Sequence, residues 1–107
     1  MKPAQMITVV DLKKLGACFS ALKCFREFFG QAAKLTHRNY VLATEYLGLD
    51  LDEVMNKLAD QNCILPEQIQ YWDSLIFPFD VTSEEASVWL AYVSEGLARL
   101  RKNQKAW

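Results

Sequence analysis

Ala86, Leu90, Val93, Leu97 and Leu100 recur at steps of four, three, four and three. That spacing keeps one face apolar for about four turns of α-helix and suits no strand, whose period is two. An apolar stripe of this length has to be covered, so the rest of the chain must supply elements that pack on it. The other local signals are helical too. Thr8 with Asp11 resembles an acidic capping box, and Cys18, Leu22, Phe25 and Phe29 form a second apolar seam that Gly30 ends. Thr36 heads a helix over 37–47 with Val41, Thr44 and Leu47 on one face, and Gly48 stops it. Asp50 heads another over 51–60 with Val54, Met55 and Leu58 inward. Pro66 opens a fifth, with Ile69, Trp72 and Leu75 or Ile76 inward and Pro78 closing it. Thr82 with Glu85 is the reciprocal Ser/Thr-x-x-Glu box that starts the last helix.

The segments at Ile7 to Val10 and Ile76 to Phe79 are short for strands, and the second contains a proline. The expected fold is therefore all-α, a compact bundle of five or six short helices with a long C-terminal helix. With 107 residues, 51% of them hydrophobic, the chain has material for one core, so 1–107 reads as a single helical domain whose residues 101–107 form a polar, basic, frayed tail. The amino-terminal residues lack the apolar core of a signal peptide and no window has the length of a membrane span, which predicts a cytoplasmic protein. An odd number of cysteines in apolar contexts, Cys18, Cys24 and Cys63, reads as reduced buried thiols, with Cys24 the more exposed of the first two.

Catalytic chemistry is thinly represented. His37 is the only histidine, and with Cys18 or Cys24 it would supply a nucleophile and base only if the two met in a cleft. The order Cys18, Cys24, His37, Cys63 lacks the close cysteine pairs of structural zinc sites, and no phosphate-loop, dinucleotide, nucleophile-elbow or EF-hand pattern occurs. The sequence thus predicts a non-enzyme with no cofactor and no metal.

A formal charge of -1 excludes a strongly basic or strongly acidic chain, yet the charge is unevenly distributed. Residues 1–40 carry seven Lys/Arg and two Asp/Glu, residues 41–98 carry one and eleven, and residues 99–107 carry four and none. Basic helices packed beside acidic ones would account for this, and many of the acids stand in first helical turns where the helix dipole favours them. Glu45, Asp60, Asp73, Asp80 and Glu95 have no such role and could form an acidic face for a basic partner. On the last helix Val88 and Tyr92 stand opposite the main stripe with Trp89 at its edge, so this helix is either central or offers an aromatic docking surface, with self-association across a two-fold axis as a further option. A nucleic-acid surface is the alternative, built from Lys13, Lys14, Lys23, Arg26, Lys34 and Arg38 near Phe19 and Tyr40.

The stretch from Leu12 through Leu15-Gly16-Ala17-Cys18, Ala21-Leu22, Phe25 and Phe29-Gly30, with Thr36 to Tyr40 and Gly48 to Asp52, resembles a short helical motif of small bacterial and phage proteins. The resemblance covers roughly the first half of the chain. It implies a helical domain of bacterial or mobile-element origin and carries over no functional residue. The expected function is a small protein-binding module, an inhibitor of a host defence or nucleic-acid-processing complex in the manner of an anti-CRISPR protein. Its partner surface would draw on Glu45, Asp60, Asp73, Val88, Trp89, Tyr92 and Glu95. The alternative is a nucleic-acid-associated regulator acting through the basic N-terminal helices and the tail.

Overall fold

The computed structural model describes residues 4–74 and 83–105. Its elements are β1 (Met6–Thr8), α1 (Val9–Lys14), α2 (Phe19–Phe29), β2 (Ala32–Lys34), α3 (His37–Val41) continued by a π-helical turn (Leu42–Tyr46), α4 (Leu51–Asp60), α5 (Pro66–Ser74) and α6 (Ser83–Lys105). The molecule is a predominantly helical bundle, with six α-helices among the described residues. Two short strands are an addition to the all-α expectation. Ile7 stands opposite Ala33 in an antiparallel pair, so the segment dismissed as too short for a strand finds a partner equally short. Tertiary pairing decides this, since an isolated three-residue strand has no stability of its own.

Local caps explain most element starts. The Thr8 hydroxyl accepts from the Asp11 amide at 3.1 Å while the Asp11 carboxylate accepts from the Thr8 amide at 2.9 Å, the full reciprocal box. Thr36 accepts from the Asn39 amide and Asp50 from the Glu53 amide, opening α3 and α4. Gly30 ends α2 at φ 81°, where a side chain would be strained. The box at Thr82 and Glu85, together with Leu75, Ile76, Pro78, Asp80 and Trp107, falls outside the described residues.

α6 is the hub. Ala86, Val93, Leu97 and Leu100 are fully buried as their spacing requires, but Leu90 is only partly buried and Trp89 takes the position beside it. The Trp89 ring packs on Tyr40 with centroids 5.2 Å apart, and its indole N–H donates to the Leu51 carbonyl at 2.8 Å. Around this hub, α4 contributes Met55 and Leu58, while the loop before α5 contributes Cys63 and Ile64. Arg101 belongs to α6 as an anchored residue, in contrast to the polar tail read from sequence: its guanidinium pairs with Asp11.

Three details of the sequence reading are corrected. Cys18 is exposed, because it is the N-cap residue of α2 and its side chain stands outside the helical seam that Leu22 and Phe25 bury. Cys24 is half-buried, so Cys63 alone matches the expectation of a buried thiol. In the 37–47 segment the buried residues are Tyr40 and Ala43, with Val41, Thr44 and Leu47 half-buried. The Thr44 hydroxyl donates to the carbonyls of Tyr40 and Val41, and the Leu47 amide reaches back to Leu42, widening the turn to π geometry and rotating the face that follows.

Candidate binding groove

α2 is held by α1 and β2 on one side of the molecule, while α3, which carries the π turn, and α4 are held by α6 on the other. The space between these two groups is not filled. It forms a groove of about 510 Å³. Ala21, Cys24 and Phe25 of α2 line one side and Leu47 and Val54 the other, and the buried Tyr40 and Trp89 border it. At the Tyr40 end, Lys34, Thr36 and Asn39 contribute polar atoms, and along α4 come Asp50, Glu53 and Lys57. The size lies within the roughly 300–1,000 Å³ of ligand pockets, and the mostly apolar lining with a few polar groups at the margin is the usual composition of such sites. The π turn contributes Ala43 directly to the lining, in keeping with the frequent occurrence of π geometry at functional positions.

Two thiols touch the groove and differ in character. Cys18 lies at its edge and is exposed, and the Ser20 hydroxyl at 3.3 Å and the Ala21 amide hold the thiol below its ordinary value. Cys24 is half-buried in the wall. The third, Cys63, stands behind α6, where burial pushes its thiol up against the opposing influence of Arg99. His37 is exposed at the start of α3, and no hydrogen bond joins it to Cys24 among the described residues. No group of three or more potential metal ligands occurs among the described residues.

The residues expected at a partner surface are spread over the π turn, α4, α5 and α6. Glu45, Asp60 and Asp73 are exposed, but they stand on the π turn, α4 and α5 respectively. Val88, Tyr92 and Glu95 are half-buried where α5 meets α6: Tyr92 faces Tyr71 with ring centroids 6.5 Å apart, and Glu95 accepts from Gln68 at 3.0 Å and pairs with Arg99 at 3.7 Å. Desolvation, with Tyr71 and Glu95 adding to it, raises the Tyr92 phenol. Trp89 is 3% exposed, so it is no surface anchor beside Tyr92 and instead contributes to the groove. The second apolar face of α6 is thus partly covered by α5, the central-helix arrangement.

Lys13, Lys14, Lys23, Arg26, Lys34 and Arg38 are all exposed. Among the described residues the ion pairs are Arg99 with Glu95, one turn apart on α6, and Arg101 with Asp11, which joins α6 to α1.

No family model, curated protein or solved structure matches the chain. The motif resemblance in the first half therefore adds no residue role to what the geometry shows. No helix among the described residues is long and apolar enough to cross a membrane.

Sequence reasoning did not find the groove. The lining residues come from several helices, both strands and the loops between them, and the gap arises from the separation of α2 from α4. The sole advance signal was Thr44 at mid-helix, a residue type that competes for backbone carbonyls.

Proposed function

We propose that the chain is a non-enzymatic binding module that receives an amphipathic helix of a partner protein in the groove between α2 and the π turn with α4. The observation that carries this reading is the groove itself, an apolar channel of about 510 Å³ left open beside a satisfied core. Helices lay residues at i, i+3, i+4 and i+7 into grooves of this kind, and apolar walls supply the affinity. Both signs of charge stand at the margin, Lys34 and Lys57 with Asp50 and Glu53, so the helix that binds carries mixed charge on its flanks. The narrower form of this proposal is an inhibitor that occupies a helix of a host defence or nucleic-acid-processing complex, as an anti-CRISPR protein does.

The test is a photo-crosslinking residue placed at Leu47, used in a nuclease-treated bacterial lysate, with and without Ala21→Trp to fill the groove. The expected result is one protein adduct that disappears when Trp occupies position 21. No adduct, or an adduct indifferent to Ala21→Trp, rejects the groove as the docking site.

A further inference from the structure

The side of α2 turned away from the groove has a different chemistry. At 3.6 residues per turn, Phe19, Lys23 and Arg26 fall within about 60° of one another on the helix, and Ala21 and Cys24 fall on roughly the opposite side. All three outward residues are exposed, Phe19 to 78%. Lys13 and Lys14 are exposed in the last turn of α1, which packs on α2 and leads into it through Leu15 to Cys18. Glu27 is the only acid on α2 and stands at the edge of this face. None of the four cations has an ion-pair partner among the described residues. Phe19, Lys23 and Arg26 share one exposed helix face, and with Lys13 and Lys14 on the preceding helix they make a region whose charge complements a polyanion.

We infer that this face of α2 binds single-stranded nucleic acid, with Phe19 stacking on a base and Lys13, Lys14, Lys23 and Arg26 meeting the phosphates. The phenylalanine decides between polyanions. Cations alone would serve an acidic protein or a duplex equally, whereas an exposed ring beside cations adds a platform on which an unpaired base stacks and a duplex does not. The helix covers about 10 Å between Phe19 and Arg26, a short contact suited to sequence-tolerant binding. This surface is separate from the groove, and its role does not depend on what the groove holds.

The experiment is fluorescence anisotropy of labelled oligouridine and oligothymidine with the full chain, from about 50 mM salt upward. Binding is expected to weaken with salt, with a log–log slope of about -3 if four phosphates are engaged. Lys23→Glu with Arg26→Glu should reduce affinity at least tenfold and flatten the slope. Phe19→Ala should reduce affinity about tenfold and leave the slope unchanged, as expected for loss of one stacked base. Circular dichroism checks that both variants keep their helix content, which the exposure of all three side chains favours. No binding at low salt overturns the proposal. So does binding that falls with the charge reversals but not with Phe19→Ala, because an acidic protein surface would then explain the face equally well.

Discussion

Arg101 near the end of the chain reaches Asp11 near its beginning, with guanidinium-to-carboxylate distances of 2.6 and 3.1 Å across 90 residues. Its second nitrogen also donates to the Met6 carbonyl at 2.8 Å. The same carboxylate completes the capping box of α1 by accepting from the amide and hydroxyl of Thr8. One side chain thereby starts the first helix, neutralises the last and ties β1 to α6.

Burial alone would raise the Asp11 carboxyl, but the Arg101 contact and the two Thr8 hydrogen bonds outweigh it and hold the group below its ordinary value of 3.8. A carboxyl depressed by folding stabilises the native state at pH above the unfolded value, and that contribution is lost as pH falls from there through the folded value. Urea unfolding followed from neutral pH into the range below about 4 should show this acid loss in the native sequence and a shallower one in Asp11→Asn. Asp11→Ala should cost about 2–4 kcal/mol at neutral pH, because a cap is removed and Arg101 is left partly buried without its partner. A cost under about 0.5 kcal/mol, the range of ordinary surface changes, would refute the clasp.

Gly96 lets α6 approach the loop before α5 closely. A Cβ there would sit 2.8 Å from the Ile64 Cδ1 and 3.0 Å from the Leu58 Cδ1, both on buried side chains. Gly96→Ala gains roughly 1 kcal/mol of helix propensity and is expected to lose about 1–3 kcal/mol to overpacking, for a small net destabilisation. Ile64→Val removes the nearer methyl group, so the double variant should be more stable than the two single costs predict. Strict additivity in a double-mutant cycle would show that the contact is relieved in another way.

The three thiols should separate by alkylation rate. Cys18 reacts first, being exposed with its thiol held down by Ser20 and the Ala21 amide, Cys24 follows, and Cys63 reacts only on unfolding. Peptide mapping after iodoacetamide treatment gives the order. The pH at which the Cys18 rate is half-maximal should lie below the ordinary thiol value of 9.0 and move up in Ser20→Ala. Modification of Cys63 in the folded protein at a rate like that of Cys18 would contradict the burial of that residue.

α5 buries no residue completely and is fastened mainly by side chains at its inner edge: Gln68 to Glu95, Tyr71 against Tyr92, and the Trp72 indole donating to Asp52. Elements with few buried apolar contacts open at lower free energy than the core. Amide hydrogen exchange should therefore release the α5 amides well before those of Val93 and Leu97 in α6. Equal protection in the two helices would mean that α5 opens only with the whole bundle.

Most of the helical architecture follows from local chemistry that the sequence displays. Thr8, Thr36 and Asp50 accept from the amides three residues on because a short side-chain oxygen meets that N–H in any helix start, wherever the helix lies. The steps of four and three along α6 likewise require a buried face, and Ala86, Val93, Leu97 and Leu100 provide it. The tertiary structure alone decided the relations between elements. It paired β1 with β2, widened α3 into a π turn, placed Trp89 against Tyr40 in place of the surface, and joined Arg101 to Asp11. The groove belongs to the same category. Periodicity specifies which side of each helix turns inward, but the separation of α2 from α4 depends on how all the packed surfaces are satisfied together, and that sum has no local signature.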